Sequence, residues 1–147
     1  MTELEEARAR LVGVGDLRVV TMVRVAIELP SPHPEVVLRE VASPYRELVI
    51  PIGLSDGVAL SHGWRRIAPL RPLSHDVWAE SLRRLGVTLE AVRIVDVEEG
   101  IFRAEMVLTS QAGSFALDCR PSDALNLAVR QDLSVPILVA ESVLGVA

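Results

Sequence analysis

From Arg18 to Leu29 apolar and polar positions alternate, with Val19, Thr21, Val23, Val25 and Ile27 on one face and Arg24 and Glu28 on the other. A period of two with β-branched residues predicts a long strand. Pro30, Pro32 and Pro34 end it, because proline removes ladder donors and fixes φ. Two further strands, 36–41 and 47–52, flank the turn-rich Ala42-Ser43-Pro44-Tyr45 and read as a hairpin. The pattern then turns helical. Ser55 is placed to cap a helix over 56–64 with Asp56 in its first turn. The clearest helix runs over 75–85 and stops at Gly86; Ser74 is its expected cap, Leu73 and Trp78 have the spacing of a hydrophobic staple, and Arg83 and Arg84 suit the negative end of its dipole. Strands follow at 87–97, 101–109 and 114–119, then a helix over 123–130 capped by Ser122, a short strand over 136–140 and a tail with helical character.

Alternating strand pairs and single helices predict an α+β fold, with mixed or antiparallel sheet built from hairpins and about three short helices, instead of a doubly wound parallel sheet. Ser55-Asp56 and Ser122-Asp123 lie 67 residues apart, and each follows a strand pair and opens a helix. The echo reads either as a duplicated β-β-α unit or as a consequence of capping alone. Residues 1–12 are rich in Glu and Arg and read as an N-terminal extension, frayed or a short helix, ahead of a single domain over 13–147.

Composition narrows the function. The chain has 147 residues, half of them hydrophobic, enough for one core without disulfides or a structural metal. Cys119 is the only cysteine, which excludes an intramolecular disulfide and, with an acidic rather than apolar N-terminus, points to a cytoplasmic protein with Cys119 as a core residue. All 15 basic residues are Arg, so Schiff-base chemistry and a P-loop lysine are excluded and anions must be met by guanidinium groups. A net charge of -5 argues against nonspecific coating of nucleic acid, and 3% aromatic residues argue against a base-stacking platform. His33, His62 and His75 lack the spacing of zinc ligands.

Two polar blocks remain. Arg71-Pro72-Leu73-Ser74-His75-Asp76 puts a guanidinium, an imidazole and a carboxylate at a helix start: His75 can carry a proton, Asp76 can hold a divalent cation and Arg71 can pair with phosphate. Asp118-Cys119-Arg120-Pro121-Ser122-Asp123 joins a strand to a helix, with Asp118 and Asp123 able to share Mg²⁺ or Mn²⁺ and Arg120 and Ser122 able to contact a phosphoryl group. Both blocks also read as ordinary caps and ion pairs.

Together with Leu48-Val49-Ile50-Pro51-Ile52-Gly53, and continuing to Ala124-Leu125, these blocks resemble the bifunctional nuclease family over about residues 18–145. The resemblance implies an α+β domain, often oligomeric, with DNase and RNase activity in some members. It departs where Ser55-Asp56-Gly57 stands in place of the family's usual Glu-Ala, shortening the carboxylate by one methylene and adding a flexible residue. The expected function is therefore a metal-assisted phosphodiester hydrolase acting on DNA or RNA. His75, Asp76, Asp118 and Asp123 are the expected catalytic residues, with Asp76, Asp118 and Asp123 near the ion and Arg71, Arg120 and Ser122 binding substrate. The rival reading is a non-enzymatic oligomeric scaffold or regulatory binding domain. High apolar content in so small a domain fits a homo-oligomer under either reading.

Overall fold

A computed structural model describes residues 16–27 and 29–146; the N-terminal extension expected over 1–12 lies outside the described residues. The fold is α+β. In chain order the described elements are β1 (Leu17–Ile27), β2 (Pro34–Glu40), β3 (Glu47–Pro51), α1 (Leu54–Trp64), α2 (Ser74–Arg84), β4 (Thr88–Glu98), β5 (Ile101–Ser110), β6 (Gly113–Cys119), α3 (Pro121–Ala128), β7 (Ile137–Ala140) and α4 (Glu141–Leu144). The last is the helical turn expected of the tail.

All seven strands form one mixed sheet in the order β3-β2-β1-β7-β4-β5-β6. Each outer trio is an antiparallel meander, as short connections require. Strand β7 enters between them, antiparallel to β1 and parallel to β4. The two meanders correspond closely. Pro34 and Ile101, which open β2 and β5, stand 67 residues apart, as do Leu54 and Pro121, which open α1 and α3. The repeat visible in the sequence thus extends to a β-β-β-α unit, laid out twice on either side of β7.

One apolar layer lies between sheet and helices: Val36, Leu38, Leu48, Val92, Ile94 and Met106 from the strands meet Leu60, Ala79, Leu125, Leu127 and Val143 from all four helices. Leu38, Leu48, Leu60, Leu125 and Leu127 are fully buried, each removing from water a side chain worth roughly 1.5–3 kcal/mol. On the opposite parity of β4 and β5 lies a small second cluster, Ala91 and Val107 against Leu138. Beside it Arg93, 1% exposed, approaches Glu105 with Nη2 3.2 Å from Oε2, and none of its three guanidinium nitrogens makes a hydrogen bond.

The helix starts differ from expectation in one consistent way. Gly53, Leu73 and Arg120 are the N-caps, all in extended conformation, and none caps through a side-chain hydrogen bond of its own. Ser55, Ser74 and Ser122 sit one or two residues inside their helices. In α2 the capping role passes to Asp76, whose Oδ2 accepts from the Leu73 amide at 2.9 Å, the reach-back half of a capping box. With Leu73 as the cap itself, the staple spacing to Trp78 no longer applies. Helix α3 begins two residues earlier than expected because Pro121 fits the first helical position, where its missing N–H costs nothing.

Glycine 57, read as added flexibility, has the opposite role. A Cβ built there would stand 2.5 Å from Pro34 Cγ, so the bare backbone lets α1 close onto the start of β2.

Candidate functional site

Helices α1 and α3 lie side by side with their first turns together, because α3 is stitched to α1 along its length. Asn126, fully buried, donates from Nδ2 to the carbonyls of Asp56 (3.2 Å) and Ser122 (2.9 Å). Arg130 donates from Nη2 to Ala59 O (3.0 Å) and from Nη1 to the carbonyl and Oδ1 of Asn126 (3.0 and 2.9 Å). Gly63 admits this side chain: a Cβ there would stand 2.6 Å from Arg130 Nη1.

The third residues of α1 and α3, Asp56 and Asp123, share one cation. Arg120 donates from Nε and Nη2 to Asp123 Oδ2 and Oδ1 (3.0 and 2.8 Å) and from Nη1 to Asp56 Oδ2 (3.1 Å). Those bonds use three of five N–H donors and leave one on each Nη for an incoming acceptor. His75, from the first turn of α2, brings Nε2 to 3.9 Å from Asp123 Oδ1 and stacks on Trp78 with ring centroids 6.5 Å apart. Burial pushes the Asp123 carboxyl up, but the hydrogen bonds and charge of Arg120, with a contribution from His75, outweigh it and hold the pKa below the ordinary carboxylate value. Arg120 is raised in turn, first by its bond to Asp123.

Asp76 points elsewhere. Its Oδ1 accepts from Arg130 Nε at 2.8 Å, and Arg130 is 9% exposed at its side chain. Burial again works to raise the Asp76 pKa, and the bonds from Arg130 and the Leu73 amide prevail and lower it. The two sequence blocks therefore do meet, through His75 and Asp123, while neighbouring residues of α2 face different partners. Asp118 stands apart on β6 with a side chain 74% exposed, 3.8 Å from Arg103 Nε. Arg71 makes no ion pair or hydrogen bond among the described residues. Ser122 is 4% exposed and contributes its carbonyl to Asn126.

The cluster opens on a cavity of about 790 Å³ whose walls include Trp78, Phe102, Asp118 and Cys119. Asp96, Glu98 and Glu99 also line it, against Arg103, and with Asp118 make its wall acidic. Burial, then the charges of Asp123, Asp118 and Glu105, push the Cys119 thiol up to about 12, so it stays protonated and is no nucleophile at neutral pH.

A resident three-carboxylate metal centre does not fit this arrangement. Among the described residues no group of three His, Cys, Asp or Glu side chains is gathered closely enough to hold an ion. Both oxygens of Asp123 face Arg120, both of Asp76 are already accepting, and Asp118 lies outside the cluster. Sequence reasoning missed Arg130 and Asn126, the residues that fix the cluster. Their signal was present as a polar i, i+4 pair on an otherwise apolar helix end, which is a poor place for a guanidinium unless it is paired.

These features define an α+β domain carrying a carboxylate-guanidinium-imidazole cluster where three helix starts converge. The model of the bifunctional nuclease domain matches residues 36–147, and the chain belongs to that family. It is 37% identical over 134 residues to an uncharacterized protein of Mycobacterium tuberculosis H37Rv, covering 91% of this chain and 76% of that one. It is 33% identical over 117 residues to "Bifunctional nuclease 2" of Oryza sativa subsp. japonica, covering 76% of this chain and 35% of the rice protein. It is 29% identical over 114 residues to "Bifunctional nuclease" of Oryza minuta, covering 74% and 33%. The chain thus spans about a third of the rice proteins. No helix among the described residues is long and apolar enough to cross a membrane.

Proposed function

We propose that the chain is a phosphodiester hydrolase acting on DNA or RNA, with its reacting centre at Arg120, Asp123 and His75. The observation that carries this reading is the doubly anchored Arg120, which keeps two spare N–H groups on a side chain 63% exposed. A guanidinium held by two carboxylates costs little reorganisation when it meets a phosphate, which is what preorganised stabilisation of developing charge requires. His75 turns Nε2 toward Asp123 and leaves Nδ1 to take a proton from the attacking water. Water oxygen then bonds to phosphorus, the P–O bond to the leaving nucleoside breaks, and the leaving oxygen takes up a proton. Asp123 orients the imidazole and stabilises its protonated form. Asp56 holds Arg120, and Asp76 acts at one remove by fixing Arg130 against α3.

No step here passes through a metal ion. Mg²⁺ characteristically binds one or two carboxylates together with substrate phosphates, so Mg²⁺ or Mn²⁺ is proposed to arrive with the nucleic acid and offset the acidic wall. Arg71 is proposed as a further phosphate contact, and Asp118, in the wall of the same cavity as Arg120, as a carboxylate for an ion carried by the substrate. We also propose a cytoplasmic homo-oligomer as the working form.

The test is cleavage of single-stranded DNA, duplex DNA and RNA with Mg²⁺, Mn²⁺ or EDTA by the wild type and by Asp123→Asn and His75→Ala. Loss of at least 100-fold in both variants is the expected result. Equal cleavage in all three preparations would assign the activity to a contaminant. The second reading, a non-enzymatic scaffold or regulatory binding domain, draws on one observation: Asp56, Asp76 and Asp123 all face arginines of their own fold. Absence of cleavage with every substrate and ion would favour it.

A further inference from the structure

A second cavity, of about 570 Å³, lies where the end of α1, the loop 65–73 and one face of α2 come together, with Asp76 and Arg130 at its inner end. Its volume falls in the range of small-molecule sites, roughly 300–1,000 Å³. Its charge is opposite to that of the chain as a whole. Arg66, Arg83, Arg84 and Arg130 line it against two carboxylates, Asp76 and Glu80. Both carboxylates are already spent: Asp76 on Arg130, and Glu80 on Arg83 and on Arg84, the latter at 2.8 Å. Asp132 flanks Arg83 Nε at 3.7 Å from outside the cavity. Arg66 has no carboxylate partner among the described residues. Its Nη2 donates to Gln131 O at 3.1 Å, and its other N–H groups have no partner among the described residues. Ile67, Pro72, Val77 and Val129 give the wall an apolar part, with His62 and Ser81 as its uncharged polar side chains.

A guanidinium without a carboxylate partner beside an apolar stretch of wall, in a protein of net charge -5, selects an anion with a flat apolar body instead of a bare anion or a long polyanion. We infer that this cavity binds a mononucleotide, its phosphomonoester on Arg66 and its base against Ile67 and Val77. The choice of a nucleotide rests on the nuclease reading, since hydrolysis of a strand yields this chemistry as product or as a terminal phosphate. Binding itself needs neither Arg120 nor Asp123, which lie in the other cavity.

Isothermal titration of the full chain with AMP, adenosine and inorganic phosphate tests the site. AMP is expected to bind at least tenfold more tightly than either fragment. Arg66→Ala should weaken AMP at least tenfold, and Arg39→Ala, in an exposed ion pair outside both cavities, should leave it unchanged. If Arg66→Ala misfolds by circular dichroism, Arg84→Ala and Ile67→Glu read the same cavity. Inorganic phosphate binding as well as AMP, AMP binding indifferent to all three cavity variants, or no AMP binding by folded wild type overturns the inference. A 5′-phosphorylated oligonucleotide that competes with AMP identifies a strand end as the source of the phosphate, and one that fails to compete identifies the free nucleotide. A chain that binds AMP but cleaves nothing keeps this site and loses the nuclease reading; one that cleaves but does not bind AMP loses this site alone.

Discussion

Arg120 Nη1 lies 3.1 Å from Asp56 Oδ2, although 64 residues separate them in the chain. The contact joins the first turn of α1 to the cap of α3, and it gives function and stability different sensitivities to one substitution. Exposed ion pairs contribute about 0–1 kcal/mol, so Arg120→Ala should lower the urea midpoint only slightly. Removing the phosphate-facing donors should cost about 100-fold or more in cleavage. Arg120→Lys should restore stability without activity, since an ammonium cannot span Asp56, Asp123 and a phosphate together. Equal losses in both properties would make Arg120 a structural residue.

Arg130 should show the reverse. Its guanidinium serves Asp76, Asn126 and Ala59, and truncation strands a largely buried carboxylate and two carbonyls. Arg130→Ala should destabilise by about 3 kcal/mol in urea denaturation at pH 7. Gly63→Ala drives a methyl into the same guanidinium and should cost about 1–3 kcal/mol. The double variant should fall well short of the sum, because the clash vanishes with the side chain. Additive losses would show that Gly63 is required for some other reason.

Glu40 contributes to the acid limb, with Glu47, Asp76, Glu80, Asp123 and Glu141 lowered beside it. Glu40 is 2% exposed, accepts from Arg46 and pairs with Arg18 at 3.0 Å, while Arg46 also reaches Glu141 of α4 at 2.6 Å. The hydrogen bond from Arg46, against the opposing effect of burial, holds the Glu40 pKa down at about 2 from an ordinary 4.5. A pKa lower in the folded state means stability that is complete above the ordinary value and lost as pH falls through the folded one. Thermal unfolding between pH 5 and pH 2 should therefore show a decline in the wild type that Glu40→Gln flattens, with Glu40→Gln already less stable at pH 7. Parallel curves for the two proteins would contradict this.

The buried pair of Arg93 and Glu105 is the least satisfied in the described structure. Burial lowers the Arg93 pKa despite the charge of Glu105, and Glu105 Oε2 also lacks a hydrogen bond. Glu105→Leu alone leaves an unpaired buried cation and should cost about 3 kcal/mol. Arg93→Met with Glu105→Leu should be neutral or stabilising by about 1–3 kcal/mol in urea denaturation, as in other buried pairs replaced by apolar groups. A double variant as unstable as the single one would mean that the pair is held by contacts of another kind.

Much of the fold was legible because it rests on local signals. The alternation over Val19–Ile27 gave β1, Gly86 marked the end of α2, and the 67-residue echo proved to be three of the four elements of a larger repeat. Helix starts were displaced because Asp76, Pro121 and the flanking extended residues, not the serines, satisfy the first turns. In the site, His75, Arg120 and Asp123 were found and do converge. Asp76 does not join them, since it follows His75 on a helix and points toward Arg130, and Asp118, on β6, is turned out beside Arg103. Arg130 and Asn126 left only their i, i+4 spacing as a signal, because Asp76, Ala59 and the Asp56 carbonyl, which they meet on other helices, are 54–71 residues away in sequence.

The placement of β7 has a consequence for how the chain comes together. The strand in the middle of the sheet follows the other six in sequence, and Ala140 pairs with Leu17 across almost the whole described chain. Until β7 arrives, each meander has two unpaired borders, and the inner ones belong to β1 and β4. Such borders invite pairing with other chains. Closure at long range also slows folding. The last strand to be made is the one that turns two sticky half-sheets into a single surface, so the period of greatest vulnerability to aggregation ends only when residues 137–140 are in place.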